Sequence, residues 1–148
     1  MSLEVTKIEV WACQIPDEPG GLAKVLKSLG DAGANLECVI GRRQPEKPGS
    51  GVVFLTPLKG SKVQRAAQAA GFNPAQNVAT LKVEGADKPG MGSRITEAIA
   101  GAGVNLRGVS CAVSGKRFAA YFGFDSSDDA TKAARAIKAL DAKKKKAK

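Results

Sequence analysis

The sequence predicts an α+β protein made of two copies of one small unit, each read as strand, helix, two strands and helix. Three observations carry that expectation. A set of motifs recurs at a constant offset of 70 residues. The hydrophobic pattern changes from a two-residue to a roughly 3.6-residue period at matching places in both copies. Turn-forming residues stand at the joins.

The repeat is clearest after the first strand. Asp17-Glu18-Pro19-Gly20 returns as Asp87-Lys88-Pro89-Gly90, and Ala32-Gly33-Ala34-Asn35-Leu36 returns as Ala102-Gly103-Val104-Asn105-Leu106. Between positions 17 and 39 eight residues are identical at that offset: Asp17, Pro19, Gly20, Ala32, Gly33, Asn35, Leu36 and Val39. Farther on the offset falls to 67, because the loop at 42–51 is longer than its counterpart; Arg65-Ala66-Ala67 then matches Lys132-Ala133-Ala134.

Residues 8–15 and 78–84 are rich in β-branched side chains with partial alternation, as half-buried strands are. The Asp-x-Pro-Gly turns end them. Leu22, Val25, Leu26 and Leu29 then fall on one helical face, and Met91, Ile95, Ile99 and Ala102 repeat the pattern. Gly33 and Gly103 stand where a helix C-cap is expected. Second strands are expected at 36–40 and 106–113, third strands at 52–55 and 117–124, and second helices at 61–70 and about 128–140, with Ser61 and Ser127 as N-caps.

A closed βαββαβ unit needs a fourth strand. Residues 72–77 would supply it for the first unit, but beyond Leu140 the second has only a lysine-rich tail, 141–148, expected to be flexible. Residues 2–7 stand at the offset of 70 from 72–77. The expectation is therefore a first module at 1–72 and a second at 73–140, in which 2–7 add a strand to the second and 73–77 complete the first.

Composition excludes several functions. The chain has 148 residues, 43% hydrophobic and 25% charged, which is ordinary for a globular protein. No apolar run approaches the roughly 18 residues that span a bilayer, and the N-terminus lacks a secretory pattern, so a cytoplasmic location and no membrane partner are expected. Histidine is absent, which removes the commonest general base and any Ser-His or Cys-His nucleophile pair. Cys13, Cys38 and Cys111 have neither disulfide-framework nor metal-site spacing and read as small residues packed in strands. No titratable pair stands in a recognisable catalytic arrangement, and the phosphate- and dinucleotide-binding glycine motifs are missing. Neither catalysis nor a cofactor or metal is expected. Of the net charge of +9, five lysines lie in the last six residues, leaving +4 for the body.

The string of strand, Asp-x-Pro-Gly turn, amphipathic helix, Ala-Gly-x-Asn-Leu and second strand resembles the ACT domain, in both halves. The resemblance implies two ferredoxin-like βαββαβ (ACT) modules with antiparallel sheets, which on the unequal ends above are expected to exchange terminal strands. It also implies a non-catalytic regulatory role, with an amino acid bound at the first strand-to-helix turns and at a module interface. It implies a homodimer, built by side-by-side association, and a regulated enzyme or other protein as partner. Carried over by motif, the ligand-binding residues are Asp17, Glu18, Gly20, Gly21, Leu22 and Asn35 in one half and Asp87, Lys88, Gly90, Met91, Gly92 and Asn105 in the other. Their chemistry suits that role. Free N–H groups at a helix start favour a carboxylate, glycine permits close approach, and Asn both donates and accepts. Gly21 and Leu22 become Met91 and Gly92, so the two turns are not equivalent.

Structural readings stand beside these. Asp-x-Pro-Gly is a good turn in its own right, and Asn after glycine suits a helix-to-strand link. Trp11 reads as core or interface, and Arg42, Arg43 and Lys47 as solvated loop residues. Two other functions remain open: a ligand-free interaction scaffold, and an RNA-binding protein. The latter rests on the basic, aromatic stretch 115–124, of which only Lys116, Phe118 and Ala119 fit the RNA-recognition pattern. Nucleic acid is accordingly not the expected partner.

Overall fold

The structure, a computed structural model, describes residues 3–146. Ser2, which the sequence reading placed in the exchanged strand, and the last two tail residues, 147 and 148, lie outside the described residues. The chain forms two compact units, and each is an antiparallel four-stranded sheet carrying two helices.

The first module, Glu9–Gln76, holds β2 (Trp11–Pro16), α1 (Gly21–Asp31), β3 (Cys38–Arg43), β4 (Ser50–Thr56), α2 (Ser61–Ala69) and a two-residue β5 (Asn73–Pro74), with sheet order β3-β4-β2-β5. The second holds β6 (Ala79–Ala86), α3 (Met91–Gly101), β7 (Gly108–Ser114), β8 (Arg117–Phe124) and α4 (Ser127–Lys146). Its fourth strand is β1 (Glu4–Ile8), from the other end of the sequence, and the order is β1-β6-β8-β7. Both orders place the fourth strand beside the first and the second strand at the far edge, so the modules share the ferredoxin-like topology. β1 pairs antiparallel with β6, from Glu4 opposite Glu84 to Ile8 opposite Thr80, whereas β5 stays within the contiguous first module.

Alternation sets which face each strand buries. Trp11 and Cys13 of β2 and Val53 and Leu55 of β4 point into the first core, which α1 and α2 close with Val25, Leu29, Val63 and Ala67. Trp11 is core, only 4% exposed. Burial also pushes the Cys13 thiol above its ordinary pKa. In the second core, Leu81 and Val83 of β6 and Phe118, Ala120, Phe122 and Phe124 of β8 meet Ile95 and Ile99 of α3 and Ile137 of α4.

Three helices end alike. After α1 the Gly33 N–H donates to Gly30 O at 3.0 Å and the Ala34 N–H to Leu29 O at 3.0 Å. Gly103 and Val104 repeat the pair after α3, and Gly71 and Phe72 after α2. This is the Schellman arrangement, and the glycine takes the left-handed backbone that closes it: φ is +93° at Gly33, +75° at Gly103 and +99° at Gly71.

The helix starts correct the sequence reading. Ser61 is the first residue of α2, not its cap; the cap position is Gly60, with no side-chain hydrogen bond. For α4 the cap is Ser126, one residue earlier than expected, whose Oγ accepts from the Asp129 N–H at 3.1 Å. That helix also runs to Lys146, past the expected end near Leu140. The expected first strand at 8–15 is broken at residues 9 and 10 into β1 and β2, which belong to different modules.

Gly21 marks one place where the copies cannot be exchanged. A β-carbon there would lie 2.5 Å from Pro16 O, a contact that requires backbone movement. Its counterpart Met91 is buried in the second core. Gly21→Ala is expected to destabilise the first module by about 1–3 kcal/mol, the usual cost of overpacking. A urea midpoint equal to that of the unsubstituted chain would contradict this.

Candidate functional site

Both first strand-to-helix turns are built without a side-chain cap. Gly20 and Gly90 hold the N-cap positions of α1 and α3 with φ of +85° and +81°, and neither first turn carries an acidic residue. The Gly21 and Met91 N–H groups donate back to Glu18 O and Lys88 O, at 3.1 and 3.2 Å. The intrahelical ladder begins only with the Lys24 and Arg94 N–H groups, which reach Gly20 O and Gly90 O, each at 3.0 Å. The N–H groups of Leu22 and Ala23, and of Gly92 and Ser93, therefore have no partner within their helices. Each turn thus presents donors with the positive end of a helix dipole behind them.

The surroundings of the two turns differ. In the first module, Arg43 ends β3 and its Nε donates to Asp17 Oδ2 at 2.7 Å. Arg43 is solvated as expected, its side chain 76% exposed, but it ends β3 and does not lie in a loop; at the offset of 70 the second module has Val113. Leu22 lies over the same edge, since a methyl placed on Gly41 would meet its Cδ2 at 4.0 Å. Glu18, Gly20 and Gly21 border a different space, an open groove of about 740 Å³ between the turn, α1 and the small residues Ala66, Ala69 and Ala70 at the end of α2. The turn residues are thus divided between two sides of α1.

In the second module they converge. Asp87, Lys88, Gly90, Met91 and Gly92 all line one cavity of about 180 Å³, walled by β7 and floored by β8. Asp87 forms no ion pair among the described residues. Register puts Val109, Cys111 and Val113 of β7 directly opposite Phe122, Ala120 and Phe118 of β8, hence on the core side of the sheet. Yet Val109 and Val113 are 55% and 52% exposed, because β7 is the edge strand. The sequence reading missed these three residues, although their alternation within β7 was visible. Asn35 and Asn105 are exposed in the links before β3 and β7 and line neither space.

The aromatic stretch on β8 does not form a stacking platform. Phe118, Phe122 and Phe124 are at most 5% exposed and belong to the core, which leaves only half-buried Tyr121 of that stretch for base stacking. Cys111 is exposed, unlike the packed residue expected. Among the described residues no helix is long and apolar enough to cross a membrane.

Topology and turns together define a chain of two ferredoxin-like modules. Residues 79–144, most of the second module, match the ACT domain family. No curated protein matches the chain. Among solved structures, the regulatory subunit of aspartate kinase from Thermus thermophilus, in its ligand-free form, superposes with a TM-score of 0.64 at 19% identity, over 93% of this chain and 95% of that one. Protein BT0572 from Bacteroides thetaiotaomicron gives a TM-score of 0.74 at 11% identity, over 88% of each chain. Aspartate kinase from Synechocystis gives 0.62 at 16% identity, over 92% of this chain but 26% of its own.

Proposed function

We propose that this chain is a non-catalytic regulatory protein that binds a small molecule, an amino acid, at its first strand-to-helix turns. The observation that carries the reading is the pair of uncapped helix starts, each with free backbone N–H groups and an Asp three residues before its N-cap glycine. An amino acid needs both: donors for its carboxylate and an anion for its ammonium. The match to the ACT domain family at 79–144 and the likeness to a regulatory subunit of aspartate kinase support the same reading. The first module, built alike, is read as a second ACT domain.

Regulation then follows from linkage. A ligand that binds one arrangement of the modules better shifts the population toward it, and a partner enzyme or other protein that distinguishes the arrangements reads the shift. A homodimer is part of the proposal, since the edge strands β3 and β7 leave backbone groups to be paired or covered. The burial of Phe118, Phe122 and Phe124 weighs against the RNA-binding alternative.

A thermal-shift screen of the full chain against the amino acids tests the proposal. A ligand at a hundredfold excess over its Kd stabilises by about 2.7 kcal/mol and raises Tm accordingly. Asp87→Ala should blunt the shift strongly and Asp17→Ala much less, because Asp17 is already tied to Arg43. No shift with any amino acid at several millimolar would overturn the reading.

A further inference from the structure

The two turns are alike in backbone but open onto different surroundings, and the difference selects a ligand. We infer that the second module's cavity takes the side chain of a compact aliphatic amino acid, and that the corresponding place in the first module is closed to it. The inference rests on the amino-acid-binding reading above and assigns that reading a location and a ligand class.

Size comes first. The cavity holds about 180 Å³. Sites for drug-sized molecules run from roughly 300 to 1,000 Å³. Space on the scale found here suits a single small side chain with its backbone groups at the mouth.

Its lining is the second argument. Phe118, Ala120 and Phe122 form the floor, Met91 and Ile95 one wall, and Val109 and Val113 the other. The hydroxyl of Thr96 also borders it, but Thr96 Oγ1 donates to its own helix, at 2.8 Å from Gly92 O and 3.1 Å from Ser93 O. Apart from the weakly polar Cys111 thiol of β7, the wall and floor offer nothing to pair with a polar side chain, and a buried polar group without a partner is costly. The charged and polar groups come from the turn instead: the Asp87 carboxylate, the Lys88 side chain and the N–H of Gly92 at the start of α3. Polar turn and apolar interior match the two ends of an aliphatic amino acid.

The first module supplies the internal contrast. At the position of Gly92 it has Leu22, which lies over Gly41 of β3, the counterpart of Cys111. At the position of Val113 it has Arg43, whose Nε pairs with Asp17 Oδ2 at 2.7 Å and sets a cation at the carboxylate an ammonium would need. In the second module the space above Gly92 is open: a β-carbon there would meet nothing within 4 Å.

The test is binding of L-valine, L-leucine, L-isoleucine and L-methionine to the full chain, against L-threonine, L-lysine and L-aspartate, by calorimetry. At least one aliphatic amino acid should bind about tenfold or more tighter than the polar ones, the discrimination an apolar pocket provides. Gly92→Leu, which imitates the first module, should weaken that binding about tenfold or more while leaving the ligand-free melting temperature intact, since the side chain enters open space. Occupancy should also slow alkylation of exposed Cys111 by N-ethylmaleimide, followed by peptide mass spectrometry. A lysine- or aspartate-selective chain, or Gly92→Leu binding valine or leucine as tightly as before, would overturn this inference and leave amino-acid binding standing. No binding of any amino acid would overturn both.

Discussion

Deleting residues 3–7 is expected to lower the stability of the second module by about 3 kcal/mol or more, though these residues lie some seventy positions before the rest of that module. β1 contributes five registered positions along β6. Leu3 and Val5 pack against the second core, and the Leu3 N–H donates to Asp141 Oδ2 of α4 at 2.5 Å, as Lys7 Nζ does to Thr131 Oγ1 at 2.5 Å. Gly85 shows how closely β1 is fitted: a β-carbon there would lie 2.9 Å from Leu3 Cδ2 and 3.1 Å from Phe118. Without β1 the β6 edge is open, and an unprotected edge invites pairing between chains. Hydrogen exchange reads the result directly. Amides of β6 should lose protection in the deleted chain, whereas those of β4, inside the first sheet, should keep theirs. Unchanged protection across β6 would show that β1 contributes nothing to the fold.

Phe72→Ala should be comparably severe in the first module, at about 3–5 kcal/mol. The ring is fully buried, and the same residue closes the Schellman turn of α2 through its N–H to Ala67 O at 2.9 Å. Truncation leaves a cavity beneath α2 where the helix already presents small residues, so the site has little with which to refill it. For a domain of this size each kcal/mol moves Tm by roughly 4–8 °C, so a fall of at least about 12 °C is expected by calorimetry. Asn73→Ala, one position on and exposed, should stay within about 0.5 kcal/mol of the unsubstituted chain. Equal melting of the two variants would contradict the assignment of Phe72 to the core.

Both predictions turn on residues whose neighbours the sequence announced only in part. The repeat, the helix faces and the third strand at 117–124 were legible, because each depends on contacts between residues close in sequence: alternation along a strand, spacing around a helix, a glycine after the last helical turn. The placement of β1 in the second sheet was legible for a different reason. The units end unequally, and residues 2–7 stand at the repeat offset from 72–77. The caps of α2 and α4 were misplaced by one residue because adjacent Gly60-Ser61 and Ser126-Ser127 offer equivalent local choices. Only the tertiary fold selects between them.

The candidate site divides along the same line. From the sequence alone came the two turns, their carboxylates and glycines, and the warning that Met91 and Gly92 break the equivalence. What lies across from each turn was decided by strand register, which brings together residues about 25 apart along the chain. Register sets Arg43 against Asp17 and leaves Leu22 over Gly41; in the second module it sets Val113 and Cys111 beside Asp87 and Gly92. A turn's own residues fix its backbone, because backbone conformation answers to local sterics. Whether that turn faces a paired arginine or an open apolar cavity depends on side chains that meet only when the sheet forms.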